Sequence, residues 1–269
     1  MSRPGHRSTN HRAFPKRFLT ALISCKTVHN RMIQLVEIGD IAWQGKTQPV
    51  ICRAEDGHEY VVKGRFAGHK ALIAEWVANR LGKLLGLPIP DFEQLRLDPL
   101  LLEYSAKAME IERLGPGILF GSRRVPNVVE IRQADLPRLD LNLQARVLAF
   151  DWWVANADRV FIAGAGNPNL LWAEDQQRLV VIDHNLAFEP ALMGDFWSEH
   201  AFRDARRLWS EGFRAGMALE FRSAMAQLPV IWRELPADWT DLPGGLTLVA
   251  IESLLWKFDR EAGIFWGRL

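Results

Sequence analysis

The sequence feature that most constrains the fold is a segment, residues 141–156, that is apolar on nearly every face of a helix. Its bulky side chains include Leu148, Trp152 and Trp153. A helix that is hydrophobic all round has to be buried on most sides. The segment therefore predicts a helix inside a core, and the polar run 156–159 that follows it brings charged groups to the edge of that core.

The composition is that of an ordinary globular protein. The 269 residues are 48% apolar and 24% charged, enough for one large domain or two modest lobes. A net charge of +1 argues against nucleic acid as a partner, and no apolar run approaches the roughly 20 residues of a membrane span. Two cysteines, Cys25 and Cys52, give neither a disulfide framework nor metal-ligand spacing. We therefore expect a cytoplasmic location.

The first 31 residues differ from the rest of the chain. They contain seven Lys or Arg residues and no acidic residue. A charged segment without a long apolar run is typical of a disordered extension. We expect 1–31 to be such a basic extension, with Met32 as an alternative start, because a strand pattern begins there.

Residues 32–124 predict strands around one helix. Apolar and alternating runs predict strands at 33–43, 50–53, 60–63, 93–97 and 118–120. A helix is predicted at 69–85, because apolar residues recur every four positions from Ile73 to Leu85.

From residue 125 onward the chain is mostly helical in character. The exceptions are two short runs, 170–172 and 178–182, which predict a hairpin. Strands with one helix, followed mainly by helices, indicate an α+β fold. We expect two lobes, a small antiparallel sheet with one helix at 32–124 and a largely helical lobe at 125–269.

Three polar residues lie where a packed core would not favour them. Asp158 follows the apolar helix, Asn169 precedes the first hairpin strand, and Asp183 follows the second. If residues 173–177 form the turn, Asn169 lies opposite Val181 and close to Asp183. An Asp and an Asn that meet in this way offer the oxygen ligands that Mg²⁺ prefers.

Phosphoryl transfer needs a base, metal ligands and a cation for the phosphates. Asp158 is a candidate base, and Lys63, on a predicted strand of the first lobe, is a candidate cation. Glu75 lies 12 residues later on the predicted helix, outside its apolar stripe, where it can orient Lys63.

The chain resembles the HipA-like kinases and, more distantly, the type II phosphatidylinositol 4-kinases and eukaryotic protein kinases. The resemblance rests on three segments: Phe150-Asp151-Trp152-Trp153-Val154-Ala155-Asn156-Ala157-Asp158-Arg159, Asn167-Pro168-Asn169-Leu170-Leu171-Trp172, and Ile182-Asp183-His184. It implies a two-lobed protein-kinase-like fold that uses ATP and Mg²⁺. It also implies that Asp158 is the catalytic base, that Asn169 and Asp183 hold the metal, and that Lys63 meets the α- and β-phosphates.

Two departures from the protein-kinase pattern accompany this resemblance. Asp158 and Asn169 are 11 residues apart, so 160–166 must loop out between them. The nucleotide loop has one glycine, Gly45, in place of a glycine-rich run. Backbone amides of Gly45, Lys46 and Thr47, with the Lys46 side chain, are candidate phosphate contacts.

The sequence thus favours an ATP- and Mg²⁺-dependent phosphotransferase of unknown acceptor, with a protein Ser or Thr slightly preferred from the resemblance. A catalytically inactive, nucleotide-binding or interaction module is the alternative, because of the long Asp158–Asn169 spacing. A metal-dependent hydrolase that uses Asp183 and His184 is a third possibility.

Overall fold

The computed structural model describes residues 32–41, 49–162 and 166–267. The strands are β1 (Ile33–Ile41), β2 (Val50–Ala54), β3 (Glu59–Lys63), β4 (Phe92–Leu97), β5 (Ile118–Arg123), β6 (Val128–Glu130), β7 (Leu170–Ala173) and β8 (Arg178–Val181). The helices are α1 (His69–Leu84), α2 (Pro99–Tyr104), α3 (Ala108–Leu114), α4 (Leu141–Trp153), α5 (Phe196–Glu199), α6 (Glu211–Met225), α7 (Leu228–Arg233), α8 (Ala237–Thr240), α9 (Leu248–Leu255), α10 (Lys257–Arg260) and α11 (Ala262–Gly267). The predicted basic extension, 1–31, lies outside the described residues. None of the described helices is long and apolar enough to cross a membrane.

The mixed α+β class is confirmed, but the first five strands form a closed barrel and not a small antiparallel sheet. The barrel order is β1-β2-β3-β5-β4, and it closes where β4 pairs with β1 in parallel. The closing register joins Ile33 to Leu95 and Leu35 to Leu97. Strand patterns along the sequence do not specify which edges meet, so the closure was not predicted.

Strand β1 pairs with both β2 and β4, and its pairing with β2 is irregular. Its register against β2 shifts twice, between Leu35 and Glu37 and between Ile38 and Ile41. Such bulges increase the local twist of a strand. At Gly39 a Cβ would lie 2.3 Å from the carbonyl oxygen of Ile51, so only glycine permits this close approach of β1 to β2.

Most of the core lies outside the barrel, around α1 and α4. Helix α4 is buried almost throughout, as its apolar sequence predicts, and so is the face of α1 that runs from Leu72 to Leu81. The two helices approach closely at Gly82, where a Cβ would lie 2.3 Å from Ile89 Cδ1 and 3.3 Å from Phe150 Cζ.

The predicted hairpin is present as β7 and β8, with its register displaced by one residue. Ala173 pairs with Arg178, so Leu170 and not Asn169 lies opposite Val181. Asn169 is instead level with Ile182, whose amide donates to the Asn169 carbonyl at 3.1 Å. A third strand, β6, pairs with β7 and was not predicted. The prediction of the register was wrong because it placed Ala173 in the turn.

The end of α7 and helix α8 contact α1 and strand β5 of the barrel. Glu234 accepts hydrogen bonds from the indole of Trp76 at 3.1 Å and from Arg80 Nε at 2.8 Å, both on α1. The indole of Trp239 donates to the carbonyl of Ile118, on β5, at 2.9 Å. These hydrogen bonds connect the late helices, α7 and those that follow it, to α1 and to the barrel.

Candidate functional site

A cavity of about 400 Å³ lies between the barrel and the sheet β6-β7-β8. Apolar side chains from both sides form part of its lining, among them Val61 from β3 and Leu171 from β7. The four predicted residues Lys63, Glu75, Asn169 and Asp183 line it too. A concave, largely apolar cavity with a few converging polar groups is the usual form of a small-molecule site.

Lys63 joins the two sides of this cavity. Its ammonium lies 2.6 Å from Asp183 Oδ1 and also bonds to Glu75 Oε1. Strand β3 alternates between its two faces, so Lys63 shares the cavity face with Val61. The predicted pairing of Lys63 with Glu75, 12 residues away, is present, and Asp183 joins it from 120 residues away.

Burial and the charges of the neighbouring groups shift the pKa values of Lys63, Glu75 and Asp183. Burial by itself lowers the pKa of Lys63, but the carboxylates of Asp183 and Glu75 outweigh that effect and raise it, so Lys63 is a cation. Burial raises the pKa of Glu75, and the neighbouring Asp183 adds to this. The pKa of Asp183 lies below its usual range, because the ammonium of Lys63 outweighs burial. Lys63 therefore pairs with an ionised Asp183 and with Glu75, whose burial favours the protonated form.

Asn169 lines the cavity and bonds to Asp158, which is not itself part of the lining. Asn169 Nδ2 lies 3.1 Å from Asp158 Oδ2 and 3.4 Å from the Asp158 carbonyl oxygen. Since the amide nitrogen donates to Asp158, the amide oxygen of Asn169 is oriented away from it. The 11-residue separation in sequence thus does not keep these two side chains apart.

The backbone at both predicted metal ligands is left-handed. The φ angle is 50° at Asn169 and 59° at Asp183. Few residues with side chains adopt this conformation, but Asn and Asp do so more readily than the others, at a cost of about 1 kcal/mol or less at each position. Such strain is often found at functional sites, where the surrounding structure holds it in place.

The donor set suits a hard divalent cation. Asn169 and Asp183 line the cavity and supply amide and carboxylate oxygens. Mg²⁺ commonly binds to one or two protein oxygens and completes its shell with water and phosphate oxygens. Over the described residues, no group of three or more His, Cys, Asp or Glu side chains could hold a metal ion.

His184 takes part in hydrogen bonding within the core. Its Nδ1 lies 2.6 Å from Asn79 Oδ1 and its Nε2 lies 3.1 Å from Arg159 Nη2. An arginine only donates, so Nε2 accepts and Nδ1 carries the proton. Burial, with the charge of Arg159, lowers the pKa of His184 to about 3. A neutral histidine with both nitrogens engaged does not suit a metal-ligand role.

The sequence reasoning missed Asp151 and Arg159 as members of one buried ion pair. Arg159 Nε lies 2.7 Å from Asp151 Oδ2, and both residues are fully buried. Asp151 also accepts from the side chains of Asn156 and His200, at 2.9 and 3.0 Å. The one available signal was an aspartate in the middle of an otherwise apolar helix, which has to find a partner when it is buried.

Three of the predicted phosphate contacts are not tested by this geometry. Gly45, Lys46 and Thr47 lie in the segment 42–48, outside the described residues. They remain predictions from the sequence.

Comparison with known protein families shows which family the chain belongs to. The HipA-like kinase family model matches residues 35–268, which is most of the chain. The chain belongs to the HipA-like kinase family. A comparison with curated proteins gives no significant match. Membership of this family confirms the resemblance that residues 150–184 indicate and gives the chain a kinase-like phosphotransferase character at the level of the family.

Proposed function

We propose that this member of the HipA-like kinase family transfers the γ-phosphoryl group of ATP, with Mg²⁺, to a hydroxyl acceptor. The proposal includes a two-lobed protein-kinase-like fold, with lobes at 32–124 and 125–269 and the nucleotide between them. The observation that carries it is the Lys63 ammonium, bonded at once to Glu75 and Asp183 beside the Asn169–Asp158 pair. These are the parts that phosphoryl transfer requires.

Each side chain has a distinct role in this proposal. Glu75 orients Lys63, which neutralises the α- and β-phosphates. Asn169 and Asp183 hold Mg²⁺, which supplies charge compensation for the phosphates when it is bound. Asp158 accepts the proton of the acceptor hydroxyl as that oxygen bonds to phosphorus and the bond to the ADP oxygen breaks. Asn169 Nδ2 keeps the Asp158 carboxylate in place.

Nucleotide binding is the first test, measured by thermal unfolding with and without Mg²⁺-ATP. A ligand at about 100 times its dissociation constant adds about 2.7 kcal/mol to stability. We expect a Mg²⁺-dependent rise in Tm that disappears in Asp183→Ala. Asp175→Ala is the matched control, because Asp175 lies in the turn at the opposite end of the same hairpin. No rise at millimolar ATP would refute the proposed site.

Phosphoryl transfer is the second test, and it addresses Asp158. We expect Asp158→Ala to keep the Mg²⁺-ATP shift in Tm and to lose transfer by a factor of about 10² or more, since general base catalysis contributes about 10²–10⁴. Transfer is measured as incorporation of ³²P from [γ-³²P]ATP into protein. Mass spectrometry then identifies the product. An Asp158→Ala variant with wild-type turnover would show that the base assignment is wrong.

The acceptor class is inferred from the family. Because HipA-like kinases suggest a protein acceptor, we propose a Ser or Thr side chain, on this chain or on another protein. Mass spectrometry of the same reactions locates the label. Label on a small molecule or lipid would redirect the assignment without affecting the nucleotide site.

The alternative is a binding module without transfer. Its support is the inserted segment 160–166 between Asp158 and Asn169, which protein kinases lack in this form. Mg²⁺-ATP binding with no labelled product from any acceptor, including the chain itself, would favour it. The hydrolase alternative has lost its main support, because both ring nitrogens of His184 bond to other side chains.

A further inference from the structure

We infer that Arg159 is a positioning residue that sets the separation of the two metal ligands, Asn169 and Asp183. It touches neither ligand side chain; it acts on the backbone that carries them. This inference rests on the proposed function, since it assigns a structural cause to the metal affinity of that same site.

A single nitrogen of Arg159 bonds to both ligand-bearing segments. Its Nη1 lies 2.7 Å from the carbonyl oxygen of Asn169, 3.3 Å from that of Pro168 and 3.3 Å from that of Ile182. The first two carbonyls flank Asn169, and the third belongs to the peptide unit that precedes Asp183. One buried cation therefore bridges the start of β7 and the end of β8.

These carbonyls are the ones that define the unusual backbone at the metal ligands. Rotation of the Pro168–Asn169 peptide sets φ at Asn169, and rotation of the Ile182–Asp183 peptide sets φ at Asp183. Both angles are left-handed, 50° and 59°. A residue in this conformation relaxes toward negative φ unless neighbouring groups hold it. The Arg159 contacts supply that restraint at both positions together.

The rest of the guanidinium is held rigidly, so the restraint is firm. Nε and Nη2 lie 2.7 and 3.3 Å from the two carboxylate oxygens of Asp151, and Nη2 lies 3.1 Å from His184 Nε2. The hydrogen-bond network extends from His184 to Glu75. Asn79 Nδ2 donates to Glu75 Oε2 at 3.3 Å, and the backbone amide of His184 donates to the same oxygen at 3.2 Å. Arg159 thereby connects the metal-ligand backbone to the lysine-orienting carboxylate.

Stability alone does not account for this arrangement. A fully buried ion pair is often replaceable by apolar side chains without loss of stability. The planar fork of arginine, in contrast, fixes several acceptors in one geometry, which the single ammonium of lysine does not reproduce. The distinguishing test is therefore Arg159→Lys, which keeps the charge and removes the fork.

The experiment measures Mn²⁺ binding to the full chain by the electron paramagnetic resonance signal of unbound Mn²⁺, with a non-hydrolysable ATP analogue present. Outer residues that orient metal ligands typically contribute 10- to 100-fold to metal affinity. We expect Arg159→Lys to raise the half-saturating Mn²⁺ concentration by about tenfold, or about 1.4 kcal/mol. Analogue affinity in EDTA should stay within about twofold, since the variant leaves the cavity lining intact.

Arg146→Lys is the matched control. Arg146 lies on α4, forms a two-point ion pair with Glu220 at 2.9 and 2.6 Å and binds the carbonyl of Leu85 at 2.7 Å, so it makes the same kinds of contact away from the cavity. Its replacement should lower Tm and leave Mn²⁺ affinity unchanged. A role of Arg159 in stability alone would give the same result for both variants.

If Arg159→Lys does not fold, a second variant replaces it in the test. The double variant Asp151→Asn with Arg159→Gln removes both buried charges together, which avoids an unpaired charge, and the same tenfold change in Mn²⁺ affinity is expected from it. If the wild-type protein binds no Mn²⁺-nucleotide, the proposed function and this inference fail together. If the wild type binds and every folded Arg159 variant keeps its Mn²⁺ affinity, this inference alone is overturned.

Discussion

The contact of Trp239 with β5 predicts that the barrel and the late helices unfold together. Trp239 lies on α8 and is only 1% exposed, and its indole N–H donates to the carbonyl of Ile118 at 2.9 Å. The substitution Trp239→Phe keeps an aromatic ring and removes the N–H donor. It tests whether this one side chain fastens the two parts of the molecule.

The expected cost has two components. Loss of the hydrogen bond to a part-buried carbonyl costs about 1 kcal/mol, at the low end of the range for an acceptor left without its donor. The smaller ring removes two buried carbon atoms, at about 0.8 kcal/mol each for groups of methylene size. We therefore expect Trp239→Phe to lower the free energy of unfolding by about 2–3 kcal/mol.

Urea unfolding, followed by far-ultraviolet circular dichroism and by tryptophan fluorescence, measures this change. Trp256→Phe is the control, because Trp256 is a half-buried tryptophan of the same C-terminal region. We expect it to cost about 1 kcal/mol or less, and we expect one transition from both probes in the wild type. Equal losses in the two variants, or separate transitions in the wild type, would refute the fastening role of Trp239.

Three further predictions concern charge, packing and pH. Lys63→Met should destabilise the fold by about 3 kcal/mol, because it leaves the buried Glu75 and the partly buried Asp183 without their cation. Adding Glu75→Gln should recover part of this loss in urea unfolding, and a loss below about 1 kcal/mol would contradict the shared-cation arrangement. Gly82→Ala should cost about 1–3 kcal/mol of stability, because its Cβ would lie 2.3 Å from Ile89 Cδ1. Gly216→Ala on α6 is the control, because a Cβ there meets open space, and it should be neutral or stabilising by up to about 1 kcal/mol. Calorimetry compares the two variants, and an equal effect would be evidence against tight packing of α1 on α4. The pKa of His184, lowered by burial from 6.5 to about 3, means that the unfolded chain takes up a proton at this residue before the folded one does. The stability that neutral His184 contributes is therefore fully present above pH 6.5 and is lost as pH falls toward 3, by roughly 3 kcal/mol at about pH 4.5. His184→Gln should show a weaker acid dependence in urea unfolding, and an unchanged dependence would mean that His184 does not contribute to it.

The sequence alone determined the parts of this protein that depend on local pattern. The periodicity of 69–85 and 141–156 predicted α1 and α4, and the buried environment of α4 followed from its apolar faces. The strands of the first 124 residues were predicted for the same reason, since alternation is visible within a single segment. Local context also singled out Lys63 on a strand, Glu75 outside the apolar stripe of a helix, and Asn169 and Asp183 at strand ends.

Only the tertiary structure decided how these pieces pair. Closure of the barrel depends on β4 meeting β1, and the register of the hairpin depends on whether Ala173 pairs or turns. Neither choice leaves a distinctive local pattern. The same applies to Glu234 and Trp239, which reach α1 and β5 across more than 100 residues of sequence.

Arg159 illustrates the physical reason for this division. From the sequence, a role was assigned to Asp158 and none to Arg159, because a sequence shows only neighbours and charges. In the folded protein Arg159 pairs with Asp151 and binds carbonyls 9, 10 and 23 residues away. Backbone carbonyls carry no residue identity, so contacts to them are invisible in a sequence and appear once the chain has brought two strands and a buried cation together.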